Sequence, residues 1–338
     1  KFVKVDTEQR RKALIEYALP QNIARLKSDF EKYRIVYDVW FHESTLHNSG
    51  EVARVIELLK EKGCTYEKDG ALWFKAEEYG GDKDFVLVRA NGVPTYMVPN
   101  IAYHYNKLVV RGFDKAIDIL GTDHHGYVPR IKASMAALGI DPDRLDVILM
   151  QLVRLTRNGE VVRMSERTGN SITLSDLLEE VPIDAARFFF NLRTPESQLD
   201  FDLDLAAEQS AQNPVYYTQY THARICSIIK NLTAEGYGMR PATDEELGLM
   251  DSEKERALIR MLSRLPRIIE DAAESYDPAK VTRYAIDLAT AFHKFYNNCR
   301  VKGPDEGLMQ ARLNLCACVK TVLYNVLTMF KITTPDVM

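Results

Sequence analysis

Gly121-Thr122-Asp123-His124-His125-Gly126 and Val161-Val162-Arg163-Met164-Ser165-Glu166-Arg167-Thr168-Gly169-Asn170 decide how this chain reads. Ile117, Ile119 and Leu120 precede the first string and read as a short buried strand ending at glycine. In open parallel sheets, ligands bind outside the carboxyl ends of the strands. Gly121 lets a ligand approach the backbone there. Asp123 can accept from a pair of hydroxyls such as a ribose diol, and His124 and His125 can donate to hydroxyl or phosphate oxygens. The second string follows an Asn158-Gly159 turn and a Val-Val strand, and it sets Arg163 and Arg167 around a Met-Ser loop. Guanidinium groups on a loop suit a polyphosphate whose charge shifts during reaction. Adjacent histidines point to different sides, so joint chelation of one ion is awkward and no metal site is expected.

Bulk properties narrow the classes. At 338 residues the chain can hold two domains, and 46% hydrophobic with 27% charged residues describes an ordinary globular protein. No apolar run approaches the ~20 residues that span a bilayer, so no membrane partner is expected. The first residues carry no signal-peptide pattern, and five cysteines without a Cys-x-x-Cys fit reduced thiols in the cytoplasm. Net charge is −4, and residues 205–338 balance 16 Lys+Arg against 16 Asp+Glu. Any RNA contact must then come from a local patch.

Taken in order, residues 7–33 read as helix with Thr7 as cap and Pro20 interrupting it, and 35–41 as a strand. Glu51 to Lys62 is an amphipathic helix stopped at Gly63. Lys68-Asp69-Gly70 marks a hairpin, and Asn91-Gly92 turns between residues 85–89 and 96–98. Thr173 opens a capping box, and Asp184 caps a helix holding Arg187. Phe201, Leu203 and Leu205 alternate as an extended bridge. Beyond it, stripes at 258–272 (with Pro266 as a kink), 281–299 and 315–329, with a helix over 213–232, predict an antiparallel bundle. Tyr216, Tyr217, Gln219, Tyr220 and Arg224 offer the aromatic and amide chemistry that single-stranded bases require. The buried alternative is open for each, as for His104 and His222.

The order Gly-x-Asp-His, then a Met-Ser loop, resembles the second half of a class I aminoacyl-tRNA synthetase site. Gly121 to Arg130, Pro94-Thr95-Tyr96 with Ile101 to His104, Asp184 to Arg187, and Asn213 to Arg224 narrow this to the arginyl-tRNA synthetase family. The resemblance implies an α/β, Rossmann-like catalytic part over 1–204 and an all-α anticodon-binding domain over 205–338. It implies arginine–tRNA ligase activity, with ATP, L-arginine and tRNA(Arg) as partners, Mg2+ on the phosphates, and a monomer at full length. Gly121, Asp123, His124 and His125 would meet ATP, Arg163, Met164, Ser165 and Arg167 the reacting phosphates, and Tyr96 and Asn100 the arginine.

Two positions depart from the family pattern. The family's Asp one turn after the Tyr is Asn100 here, which offers the guanidinium no charge; losing a charge-assisted pair costs about 1.5–3 kcal/mol. A lysine of the Met-Ser loop is Glu166. The family's His-x-Gly-His signature and N-terminal domain are absent from this sequence, so this stretch by itself is expected to be inactive. The competing readings are a tRNA-binding module or silent paralogue, and an unrelated nucleotide-binding hydrolase or transferase.

Overall fold

The computed structural model describes residues 6–162 and 172–338, which form two compact units. One contains Tyr37–Leu152 with Pro195–Gln198. The other contains the described residues up to Val36, Val153–Thr194 and Leu199–Met338.

In the first unit, helix Glu51–Glu61 buries Val52, Val55 and Leu59 on one face. Gly63, in the left-handed region at φ 70°, ends it and lets the Cys64 N–H return to Leu59 C=O at 3.0 Å. Strands Thr65–Lys68 and Ala71–Phe74 pair antiparallel across Asp69 (φ 53°) and Gly70 (φ 72°), the double positive φ of a tight hairpin turn. Phe85–Val88 adds a third strand. Residues 96–98 do not continue this sheet. Pro94 has no N–H to give, and Thr95 gives its own to Leu87 and its hydroxyl to Val86, both at 2.8 Å, so pairing stops and helix Met97–Tyr105 begins.

Strands Ala116–Gly121 and Leu145–Met150 lie parallel and in register, joined through helix Val128–Ala137. Phe74, Leu87, Ile101, Ile131, Met135 and Leu145 form the core beneath them. The expected burial of the first strand is only half realised. Ala116 faces this core, whereas Ile117 and Ile119 alternate to the other face and are 47% and 63% exposed. The strand expected over 35–41 does not form; that stretch is irregular, and Val36, Tyr37 and Val39 are exposed.

In the second unit, helix Thr7–Lys32 is capped by Asp6, not Thr7: the Asp6 carboxylate accepts from the Glu8 and Gln9 N–H groups at 3.1 and 3.3 Å. The helix runs through Pro20 without ending. Strand Val153–Arg157 sits between Glu160–Val161, turned by Asn158 and Gly159, and the parallel strand Leu199–Asp202. The extended bridge expected to reach Leu205 therefore stops at Asp202, whose carboxylate accepts the Leu205 N–H at 3.0 Å and caps a short helix, Leu203–Ala207. Thr173 and Asp176 form the expected capping box.

Asp184 is not a cap. Helix Ile183–Phe189 starts after Pro182, and the Asp184 carboxylate instead accepts from Arg34 at 2.6 Å, Gln219 at 2.9 Å and the Thr333 N–H at 3.3 Å. Arg187 donates to the carbonyls of Tyr33 and Phe330 beside it.

The helical region follows the sequence stripes. Helix Ala279–Asn298 packs against Pro214–Ala234, Glu253–Ser263, Leu265–Glu274 and Glu306–Met329, and it buries Tyr284, Leu288, Phe292 and Phe295. Pro266 does not kink one long helix; it sits in the first turn of a new one, where its missing N–H costs nothing. Among the described residues no helix is long and apolar enough to cross a membrane.

Candidate functional site

The expected ligand-binding turn leaves the carboxyl end of strand Ala116–Gly121 as a 3-10 segment, Thr122–Tyr127. Gly121 is extended at φ −68°, so the glycine is needed for close approach and not for a left-handed turn. A Cβ at this position would lie 2.5 Å from Asp123 Oδ1, so only glycine lets that carboxylate fold back over the strand end. Asp123, His124 and His125 are exposed. His124 Nε2 stands 3.6 Å from Asp123 Oδ2, and its ring meets Tyr127 edge-on at 6.5 Å between centroids. An accepting carboxylate and two imidazoles are therefore presented together at a strand end.

Tyr96 and Asn100 come from the neighbouring helix. Tyr96 precedes the first turn of Met97–Tyr105 and is 64% exposed; Asn100 is half-buried inside the helix, so it does not cap it. Four residues apart, they share a face. A buried network below them holds that helix in place. His104, 3% exposed, reaches the Asn100 carbonyl through Nδ1 at 2.8 Å and Asp118 Oδ2 through Nε2 at 2.7 Å. Both partners only accept, so the imidazolium form makes both bonds at once. Lys107 donates to Asp118 Oδ1 at 2.9 Å and lies 4.6 Å from the Tyr103 ring centroid. Burial pushes the Asp118 carboxyl up, but the bond and charge of His104, and then those of Lys107, outweigh it and hold it down at about 2. Tyr127 packs partly buried against the same core: burial raises its phenol well above the usual value, and the charges of Asp118 and Tyr96 raise it further. Asp118, Lys107 and Tyr127 escaped the sequence reading, because their spacing marks only a strand and a helix.

Arg163, Met164, Ser165 and Arg167, with Glu166, lie outside the described residues.

The residues expected to meet RNA sit on helix Pro214–Ala234 in the other unit. Tyr217 and Tyr220 pack on the His293 ring at 5.1 and 6.1 Å between centroids, the second nearly parallel at 16°. Arg224 donates to the Tyr220 hydroxyl at 3.0 Å and lies 4.5 Å from the Tyr296 ring centroid. Burial, then Arg224, lowers the His293 imidazole, so it is neutral at pH 7. His293 and Tyr296 were missed because they flank the apolar stripe of helix Ala279–Asn298. Gln219 is turned inward, 8% exposed, with its amide nitrogen donating to Asp184 and the Thr333 carbonyl. Tyr216 lines a separate cavity of about 380 Å³ shared with Asp184 and Met338.

Residues 5–231 match the family described as tRNA synthetases class I (R), catalytic domain, and residues 218–338 match the DALR anticodon binding domain. The arginine–tRNA ligase of Caldanaerobacter subterraneus is 57% identical over 99% of this chain, and that of Ruminiclostridium cellulolyticum is 54% identical over the same share. The chain spans 60% of the length of each. A solved Campylobacter jejuni structure assigned as an arginyl-tRNA synthetase superposes with a TM-score of 0.86 at 30% identity, covering 98% of this chain and 71% of that one. With a catalytic-domain match over most of its length and an anticodon-domain match over the rest, the chain belongs to the class I arginyl-tRNA synthetase family.

Proposed function

We propose that this protein is an arginine–tRNA ligase, activating L-arginine with ATP and passing it to tRNA(Arg). The observation that carries the reading is the pairing, within one unit, of Tyr96 and Asn100 on one helical face with the Gly121–His125 turn at an adjacent strand end. In this mechanism the arginine carboxylate attacks the α-phosphate of ATP, pyrophosphate leaves, and the aminoacyl group moves to the terminal ribose of the tRNA. The protein's part is positioning and charge stabilisation. Asp123 accepts from the ribose hydroxyls, and His124 and His125 donate to the nucleotide. Tyr96 and the Asn100 amide oxygen meet the arginine side chain, and Arg163 to Arg167 meet the phosphates. Mg2+ would accompany the nucleotide and supply charge neutralisation at the phosphates. Tyr217, Tyr220 and Arg224, together with His293 and Tyr296, form the platform for anticodon bases. The full-length protein acts as a monomer in the cytoplasm.

Aminoacylation of tRNA(Arg) by the full-length protein tests this. Charging with arginine, but not with lysine or citrulline, is expected. Binding of tRNA without any charging would refute ligase activity, and charging with citrulline in preference to arginine would refute the arginine assignment.

A further inference from the structure

Helix Pro214–Ala234 carries His222 and Cys226 one turn apart, and the last residues of the chain fold across them. The Cys226 sulfur lies 3.1 Å from Asp336 Oδ1 and 3.8 Å from His222 Nδ1. The Pro335 carbonyl oxygen lies 3.1 Å from the same nitrogen. The nitrogen, sulfur and carboxylate oxygen all fall within 4.8 Å of one another. Tetrahedral zinc, with bonds of about 2.0–2.3 Å, spaces its donors about 3.3–3.8 Å apart. Small rotations of Cys226 and of the exposed Asp336 therefore bring the three donors to that spacing around one point. None of these residues has a part in the reaction proposed above.

We propose that His222, Cys226 and Asp336 bind one zinc-class divalent cation, with the fourth position open to water. The donor set excludes the harder ions: a thiolate and an imidazole favour Zn2+ over Mg2+ or Ca2+, which take oxygen. His222 is buried, so its ring is already fixed in place. Asp336 is exposed and lines, with Cys226, Lys230 and Lys320, a cavity of about 560 Å³ through which an ion can reach the donors. On binding, the Cys226 thiol loses its proton to solvent, and the His222 proton that Nδ1 directs at the Pro335 carbonyl moves by solvent exchange to Nε2, leaving the Nδ1 lone pair for the metal. Lys320 lines the same cavity as Cys226 and Asp336, and a dication there would repel its ammonium group. The ion would cross-link the end of the chain to the helix that carries Tyr217, Tyr220 and Arg224.

The test uses the full chain with the exposed Cys318 changed to Ser, so that no second accessible thiol competes. Zn2+ affinity is read by competition with a chromophoric chelator, and geometry by Co2+ absorption. One Zn2+ per chain is expected, with a thiolate-to-cobalt charge-transfer band and the intense visible bands of four-coordinate Co2+. Cys226→Ser should abolish the charge-transfer band and weaken Zn2+ at least about tenfold, as should Asp336→Asn for affinity. Lys320→Met should tighten Zn2+, a direction that loss of a merely structural side chain would not produce. His222 is left unchanged because its ring is part of the packing, and melting curves in chelator check that each variant is folded. Absence of stoichiometric Zn2+, a cobalt spectrum unchanged in Cys226→Ser, or weaker binding by Lys320→Met would each overturn the proposal.

Discussion

Asp118→Asn tests whether the buried network under Tyr96 and Asn100 is what holds their helix. The substitution keeps the shape and removes the charge that His104 and Lys107 share at 2.7 and 2.9 Å. Holding the carboxyl at about 2, against an ordinary value of 3.8, corresponds to roughly 2–3 kcal/mol of preference for the ionised form in the folded state. Removing one partner of a buried pair costs about 3–5 kcal/mol when the other charge is left fully enclosed. Lys107 is 17% exposed and can turn partly to water, so a loss of about 2–4 kcal/mol at pH 7 is expected. Urea unfolding followed by tryptophan fluorescence is the assay, because Trp40 and Trp73 are the only tryptophans and both lie in this unit. The pH dependence gives a second reading. The folded-state value lies below the unfolded one, so the wild type has this stability above about pH 4 and loses it as pH falls toward 2. The gap between wild type and variant should therefore close over that window. A variant within about 0.5 kcal/mol of wild type at pH 7, or a gap that persists at pH 2, would refute the reasoning.

Gly121→Ala should push the exposed Asp123 carboxylate off the strand end, because the new methyl would lie 2.5 Å from its oxygen. The KM for ATP should rise several-fold while thermal stability stays within about 0.5 kcal/mol; an unchanged KM would mean Asp123 does not meet the nucleotide. Asn100→Asp restores a carboxylate one turn from Tyr96 and should lower the KM for arginine by about tenfold or more, given about 1.5–3 kcal/mol for a charge-assisted bond. A KM that stays put would show that this face does not meet the guanidinium. Arg224→Ala should weaken tRNA binding and reduce the slope of log affinity against log salt by about one if the guanidinium meets a phosphate. An unchanged slope would confine Arg224 to packing on Tyr296.

Where periodicity and turn chemistry acted locally, the fold was legible. The Asp69-Gly70 and Asn158-Gly159 turns, the Thr173 capping box and the Tyr284–Leu288–Phe292–Phe295 stripe all appear as read. The misreadings share a cause: partners distant in sequence overrode local preference. Residues 35–41 have the composition of a strand but find no strand to pair with among the described residues. Asp184 has the place of a cap, yet its carboxylate is claimed by Arg34, Gln219 and Thr333. In the candidate site, Tyr96, Asn100 and the Gly121–His125 turn were readable from motif strings. Asp118 was not, since nothing in its own strand announces the histidine and lysine a helix away. The burial of Gln219 was illegible for a related reason: a Tyr-rich helix invites an RNA reading, and only the fold shows which of its sides faces inward.

The three donors on Asp184 come from residues 150, 35 and 149 positions away along the chain. One of them is Thr333, which follows helix Glu306–Met329 in the chain. During translation Asp184 and Arg34 can meet early, but Thr333 reaches them only after helix Glu306–Met329 has left the ribosome. Closure of this knot thus waits until the helices between Asp184 and Thr333 have been made, and chains truncated before Thr333 should carry a carboxylate short of donors.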